Sequence, residues 1–253
     1  MIPFFARRIL FSLVTFFIIV SAVFFLLRVA PGGPFDGERR LTPEIEVNLL
    51  AAYDLDAPLP VQFGRFWQKL IRGDLGPSFK QKDFTVNELI GTGLPVSMAL
   101  GFGSILVAIS LGTAIGTLAG FNQGRALDTC VMSLNNLNLA IPTIVAAPIM
   151  VLVFSIMLSL FPTGGADSAR HFILPVAALA IPFSAQIARL VRGGVAEVLH
   201  EPHIKTARSK GLPTSRLVCR HILPIALIPV VSFLAPATAG LLTGSVVVEQ
   251  IFD

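Results

Sequence analysis

Long apolar stretches separated by polar segments dominate the pattern along this chain. The first stretch, Ile9–Leu27, contains nineteen residues and no charged side chain. With a rise of about 1.5 Å per residue, an α-helix of this length extends roughly 28 Å, close to the ~30 Å hydrocarbon core of a bilayer. The pattern therefore predicts a membrane span rather than a helix of a soluble core.

Four further apolar stretches are long enough to cross a membrane. They are Leu94–Ala119, Leu137–Phe161, Phe172–Leu190 and Ile222–Val248. The last two contain several prolines, which membrane helices tolerate where neighbouring helices satisfy the freed carbonyl groups. We therefore predict an all-α, polytopic membrane helical bundle with five spans in this sequence, in which the proline-containing spans pack against protein.

Composition and charge support this interpretation. Charged residues make up 13% of the chain and apolar residues 54%, whereas soluble domains carry about 25% charge. The net charge of +4 is small and does not indicate nucleic-acid binding. The two cysteines, Cys130 and Cys219, lie far apart and outside any CxxC pattern. Neither a disulfide framework nor a metal site is therefore expected.

The distribution of Lys and Arg predicts the orientation. Arg7 and Arg8 precede the first span, and the segment Arg189–His221 carries seven basic residues against two acidic ones. The positive-inside rule places both regions in the cytoplasm, so the N-terminus is expected to be cytoplasmic. The predicted division is a first transmembrane helix at 1–30, an extracytoplasmic loop at 31–93, and a transmembrane core at 94–253 that contains a basic cytoplasmic segment at 193–221.

The large external loop shows local order in its sequence. Leu41–Gln68 is expected to form one or two short helices, with Thr42 as an N-cap. Phe63, Phe66 and Trp67 cluster near the end of this region. Two interpretations stay open: a helical cap whose aromatic rings lie at the membrane interface, or a contact surface for an extracytoplasmic partner.

Small and polar residues inside the spans carry further information. Gly112, Gly116 and Gly120 recur every four residues, which predicts close approach of another helix. The spans also contain four amide side chains: Asn135, Asn136, Asn138 and Gln186. Because unpaired amides are costly in hydrocarbon, we expect them either to form hydrogen bonds between helices or to line a translocation path.

Patterns typical of enzymes are absent from the sequence. It contains no Gly-x-Ser-x-Gly, no His-Glu-x-x-His and no Gly-x-x-x-x-Gly-Lys-Ser/Thr, so no catalytic residue is predicted and the chain is not expected to hydrolyse ATP. No predicted span has Asp, Glu or Lys near its middle. This disfavours an ion-coupled secondary carrier, which usually places an ionisable group there.

The basic segment contains a capped helix followed by a second helix. Pro202 lies in the first turn after Glu201, and Gly211 provides the expected stop. Ile204 and Ala207 lie on one face of this helix, surrounded by the basic residues Lys205, Arg208 and Lys210. A second helix is predicted from about Pro213 to Leu223-Pro224, where the chain returns to the membrane.

This segment resembles the cytoplasmic signature of permease subunits of ATP-binding-cassette importers: Glu-Ala-Ala, three residues, Gly, nine residues, then Ile-x-Leu-Pro. With Gly211 as the anchor, Ala207, Leu223 and Pro224 match, whereas Lys205, Thr206 and His221 depart. The variant His203–Leu212 is similar to the dipeptide/oligopeptide branch. Similarity extends to the motifs Arg28–Pro34, Gly73–Ser78 and Leu242–Phe252.

The resemblance implies a mechanism, a localisation and partners. The segment would dock on an ATPase through a coupling helix with an exposed Ile204/Ala207 face, and the implied residues are Glu201, Ile204, Lys205, Ala207, Arg208, Lys210, Gly211, Leu223 and Pro224. The protein would lie in the bacterial cytoplasmic membrane, in contact with lipid. Its expected protein partners are a second homologous permease, two cytoplasmic ATPases that bind ATP and Mg²⁺, and an extracytoplasmic binding protein. The expected substrate is a peptide. The permease itself would hold no cofactor. Six spans are expected in this family, so the resemblance implies that a sixth follows Asp253 in a longer protein.

Three alternatives stay open at this stage. A membrane scaffold or receptor-type protein could use the basic segment to bind a cytoplasmic partner without transport. A secondary carrier is a second alternative. A third is an importer of the same family that carries glutathione or nickel complexes instead of peptides.

Overall fold

The computed structural model describes residues 2–29, 55, 57–78, 81, 83–166 and 168–252. Within these ranges every regular element is helical, which confirms the predicted all-α class. The chain divides into two compact units, Met1–Gly91 and Thr92–Asp253.

The first unit contains two helices joined by aromatic packing. Helix α1 is Ile2–Val29 and helix α2 is Leu59–Ile71. Phe17 stacks on Trp67 with ring centroids 4.8 Å apart, and Phe24 lies 5.3 Å from Phe63. The aromatic residues of the predicted loop therefore pack against the first apolar helix. The predicted cap Thr42 and most of the predicted helical region Leu41–Gln68 lie outside the described residues.

A polar network fixes the start of helix α3, Val86–Phe121. The Thr85 hydroxyl accepts a hydrogen bond from the Glu88 amide at 3.2 Å, and the Glu88 carboxylate accepts one from the Thr85 amide at 2.8 Å. This reciprocal capping box satisfies amide groups that the first helical turn leaves unpaired. The helix therefore begins eight residues before the predicted Leu94, because capping rather than apolar content determines its start.

The second unit is organised around one long helix. After α3 the chain forms α4 (Ala126–Ala140), α5 (Thr143–Met150), a π-helix (Val151–Met157) and α6 (Ala169–Val198). It continues through α7 (Pro202–Ser209), α8 (Thr214–Leu217), a second π-helix (Val218–Ile222), α9 (Leu223–Ala226) and α10 (Ile228–Phe252). Helix α6 contacts α4, α5, α9 and α10, and so forms the centre of this unit.

The glycine repeat of α3 contacts α6, as its spacing predicted. A Cβ atom on Gly116 would lie 2.5 Å from the Ala188 carbonyl oxygen, and one on Gly112 would lie 2.7 Å from the Ser184 carbonyl oxygen. A Cβ atom on Gly120 would meet the Val195 side chain at 2.8 Å. The two backbones are therefore too close for a side chain at these three positions of α3.

The predicted third span, Leu137–Phe161, is wrong in its bounds and shape. The helical pair runs over Ala126–Ala140 and Thr143–Met157 and bends by 99°. The bend lies at Ile141, whose φ of −90° and ψ of 116° are extended. Pro142 imposes this conformation because its ring clashes with a helical backbone at the preceding residue.

The predicted fifth span, Ile222–Val248, also differs from the structure. The helical pair Thr214–Ala226 and Ile228–Leu242 bends by 55°. Pro229 is the second residue of α10 and has no backbone N–H to continue the hydrogen-bond ladder of the preceding turn. The proline therefore separates two helices in the region where one span is predicted.

Three helices among the described residues have the length and apolar content of membrane spans: Pro3–Val29, Val86–Phe121 and Ala169–Val198. The number rises to five if each bent pair is one span. The structure thus agrees with a polytopic helical membrane protein that has three to five candidate spans.

Candidate functional site

Helix α7 forms where capping signals predicted it. Glu201 occupies the N-cap, and Pro202 lies at the first helical position, where its missing N–H costs nothing. At the other end, Gly211 has a φ of +75°, a conformation that glycine adopts without strain. The Gly211 amide donates to the Arg208 carbonyl at 2.9 Å, and the Leu212 amide donates to the Ala207 carbonyl at 3.3 Å. These are the two hydrogen bonds of a Schellman C-cap.

The apolar face of α7 is buried inside the chain itself. The exposed fractions of Ile204 and Ala207 are 0% and 9%, and both belong to a core cluster with Leu217 and Ile222. The expectation that these two residues form an exposed plug for a partner is therefore wrong. They hold α7 against the rest of the second unit, because burying a side chain of the size of Ile204 stabilises the fold by about 1.5–3 kcal/mol.

The face of α7 that remains accessible is basic. Lys205, Arg208 and Lys210 are exposed there. Residues 193–221 contain five basic residues and two acidic ones, Glu197 and Glu201, which gives a net charge of +3. All seven charged side chains are exposed. Helix α7 therefore has a positively charged exposed side, and its opposite side is packed against the core.

The return to the membrane at Leu223-Pro224 anchors the other end of the segment. Ile222 is fully buried, Leu223 packs on the same core and Pro224 is exposed. Behind this point α9 lies close to α6: a Cβ atom on Gly194 would be 2.8 Å from the Ala226 carbonyl oxygen. Helices α6, α7 and α9 therefore share one packed core.

Sequence reasoning missed an ion pair between α4 and α6. The Arg192 guanidinium donates two hydrogen bonds to the Asp128 carboxylate, from Nε at 2.6 Å and from Nη2 at 2.7 Å. Asp128 is only 2% exposed, and its carboxylate also accepts a hydrogen bond from the Gly124 amide at 2.9 Å. Arg192 had been counted among the charges of the basic segment. An isolated acid at the start of an apolar helix was the signal that a basic partner was needed.

Two of the predicted amide residues contact α6. The Asn135 side chain donates to the Ala185 carbonyl at 2.7 Å and is buried. The Asn136 side-chain oxygen Oδ1 accepts a hydrogen bond from the Arg189 guanidinium at 2.8 Å on the exposed side. Asn135 thus forms the interhelical hydrogen bond that was one of the two expectations. Asn138 and Gln186 are exposed on the same two helices.

Comparison with known proteins supports a transport role for this helical unit. The model of the family described as binding-protein-dependent transport system inner membrane component matches residues 112–253, which include the basic segment and helices α4 to α10. The chain belongs to this family. The predicted resemblance to permeases of ATP-binding-cassette importers is thereby confirmed, and the family is one of transport components rather than of enzymes.

Relatives of the permease cover most of its length. It is 45% identical to the oligopeptide transport system permease protein OppB of Haemophilus influenzae, over 100% of this chain and 83% of that protein. It is 39% identical to the dipeptide transport system permease protein DppB of Bacillus subtilis, over 94% of this chain and 77% of that protein. A crystal structure of an amino acid ABC transporter matches 65% of this chain and 72% of the other, with 22% identity and a TM-score of 0.48.

Proposed function

We propose that this permease is the membrane subunit of an importer that carries di- or oligopeptides into the cytoplasm of a bacterium. The proposal is supported by relatives named for oligopeptide and dipeptide transport, which are 45% and 39% identical over almost the whole chain. The same relatives favour peptides over glutathione or nickel complexes as the substrate.

Coupling to ATP hydrolysis takes place through α7. The observation that supports this role is the division of the helix into a buried side and an exposed side. Its apolar side is buried in the permease and its opposite side is exposed and basic. Lys205, Arg208 and Lys210 contact the ATPase, while Ile204 and Ala207 hold the helix in place. Since α7 shares one core cluster with α6, movement of the ATPase is passed to the spans.

The topology that accompanies this mechanism has five spans in this sequence, with each bent helical pair crossing the membrane once. The N-terminus and residues 193–221 lie in the cytoplasm, where positive charge is retained. Residues 31–93 follow the first span on the outside, and α2 within them packs along that span through its aromatic rings. Asn136, Asn138 and Gln186 line the translocation path, because exposed amides on spans pair with water or substrate more readily than with lipid.

The partners follow from the same mechanism. A second homologous permease subunit completes the path, and two cytoplasmic ATPases bind ATP and Mg²⁺. An extracytoplasmic binding protein delivers the peptide. The permease contributes the path and the docking helix and holds no cofactor.

ATP-driven uptake tests this proposal. The permease, its second subunit, the ATPases and the binding protein are reconstituted in proteoliposomes with ATP inside and a radiolabelled dipeptide outside. We expect accumulation that requires ATP and is at least tenfold slower with Arg208→Glu, which reverses a charge on the exposed face. The matched control is Arg170→Glu at the opposite end of α6, which we expect to remain within about twofold of wild type.

Two results would contradict the proposal. An assembled complex that hydrolyses ATP without accumulating peptide favours a scaffold. Accumulation that continues without the ATPases, driven by an ion gradient, indicates a secondary carrier.

A further inference from the structure

A cavity of about 330 Å³ lies at the end of α6 that is remote from α7. The beginnings of α3 and α6, the loop at Gly165 and the end of α10 line it. The Gly165 amide donates to the Phe252 carbonyl at 3.0 Å and so closes the loop over the end of α10. This volume lies near the lower end of the ~300–1,000 Å³ range of ligand pockets, so the cavity is suited to a small group.

One carboxylate oxygen at this cavity has no hydrogen-bond partner among the described residues. It is the Oε1 atom of Glu249, which is buried. A buried acceptor left without a donor costs roughly 1–3 kcal/mol, and more when it is charged. Such a buried group calls for an explanation, and a role in binding a ligand is one.

The described lining residues supply no cation for this carboxylate. They include neither Lys nor Arg, and His171 is the one other titratable side chain among them. The Nδ1 atom of His171 lies 3.0 Å from the Ser168 hydroxyl in the capping box of α6, which fixes the ring. The remaining walls include Phe172, Pro175 and Phe252. Apolar walls lower the local dielectric constant and so strengthen the attraction between a carboxylate and a cation.

A primary ammonium group fits these observations best. It carries the positive charge that compensates the carboxylate, and it has three donors on one compact nitrogen. It also needs little room beside the ring walls. An uncharged donor would leave the carboxylate charge uncompensated, and a planar guanidinium requires a wider slot.

We infer that Glu249 binds the amino-terminal ammonium group of the peptide at this cavity, before the peptide passes along the path. The inference rests on the proposed function, because it takes the substrate to be a peptide and the remote end of α6 to face outside. Helix α6 then links two sites roughly 40 Å apart: the Glu249 cavity at its beginning and the docking helix α7 after its end.

Zero-length crosslinking of the assembled complex tests the inference directly. The probe is alanyl-phenylalaninamide, which has a free amino group and no carboxylate. A water-soluble carbodiimide activates the Glu249 carboxyl group, the bound amine attacks the acyl carbon, and a urea leaves as the amide bond forms. We expect mass spectrometry to find at least tenfold more adduct on Glu249 than on the exposed Glu197 of α6, and no adduct at position 249 in Glu249→Gln.

The competitor establishes which group is bound. Excess N-acetyl-alanyl-phenylalaninamide should leave the Glu249 adduct unchanged, because it lacks the ammonium group. A Glu249 adduct no stronger than that of Glu197, or one that the acetylated peptide removes, would overturn the inference. Since crosslinking requires no ATP, these results decide the binding site even if the complex does not transport.

Uptake by the same preparations separates this inference from the proposed function. We expect Glu249→Gln to reduce ATP-driven dipeptide uptake at least tenfold and Glu249→Asp, which keeps the charge, to retain uptake within about threefold of wild type. Wild-type uptake with an unchanged rate in Glu249→Gln would overturn the inference and leave the proposed function intact. Absence of uptake in wild type would instead contradict the proposed function.

Discussion

Replacing Arg192 by methionine is expected to lower the free energy of unfolding by roughly 3 kcal/mol. The methionine keeps much of the apolar volume but leaves the Asp128 carboxylate buried at 2% exposure without its two charged donors at 2.6 and 2.7 Å. We choose the lower end of the range for broken buried pairs because Arg192 retains 30% side-chain exposure. Unfolding in mixed micelles titrated with SDS measures the change.

Two variants make this prediction specific to the ion pair. Arg189→Met carries the same change less than one turn away, where Arg189 is exposed and, among the described residues, forms one hydrogen bond, to the Asn136 side chain; it should cost less than about 1 kcal/mol. The double variant Asp128→Leu/Arg192→Met removes both charges and should recover most of the loss. Equal losses for Arg189→Met and Arg192→Met would show that the pair contributes nothing particular.

Gly116→Ala is expected to destabilise the contact between α3 and α6 by about 1–3 kcal/mol, although it adds a single methyl group. The new Cβ atom would meet the Ala188 carbonyl at 2.5 Å and the Val191 Cβ at 2.7 Å. Backbone atoms cannot move aside as the end of a flexible side chain can. The two helices must therefore separate, and the thermal unfolding temperature in detergent should fall.

Gly193→Ala is the matched control for this substitution. Gly193 lies within α6, and a Cβ atom there would have no neighbour within 4 Å. Because alanine is a better helix former than glycine by up to about 1 kcal/mol, this variant should be neutral or slightly more stable. A Gly116→Ala protein as stable as Gly193→Ala would contradict the close packing of α3 on α6.

Features that depend on local spacing could be predicted from the sequence. The start of α7 at Pro202 and its stop at Gly211 follow from capping preferences over ten residues. The contact between α3 and α6 was indicated by glycines every four residues. These signals work because one turn of helix determines them, without knowledge of what lies elsewhere in the chain.

Features that depend on distant partners could not be predicted in the same way. The spacing of Ile204 and Ala207 shows an apolar face but does not show whether the chain or another subunit covers it. Asp128 and Arg192 are separated by 64 positions, so only the fold reveals that they pair. The bend at Ile141-Pro142 differs from these cases. The restriction that proline places on the preceding residue is local, so the bend can be predicted from the sequence, and the continuous span over Leu137–Phe161 overlooks it.

The central claim is that the exposed basic face of α7 docks on an ATPase. The most direct measurement places a photo-crosslinking amino acid at Arg208 and, in a separate protein, at the equally exposed Arg170 at the beginning of α6. Both are irradiated in the assembled transporter. We predict a covalent product between the permease and an ATPase subunit from position 208 and none from position 170. A product from position 170, or none from position 208 in a complex that contains the ATPase, would contradict the claim.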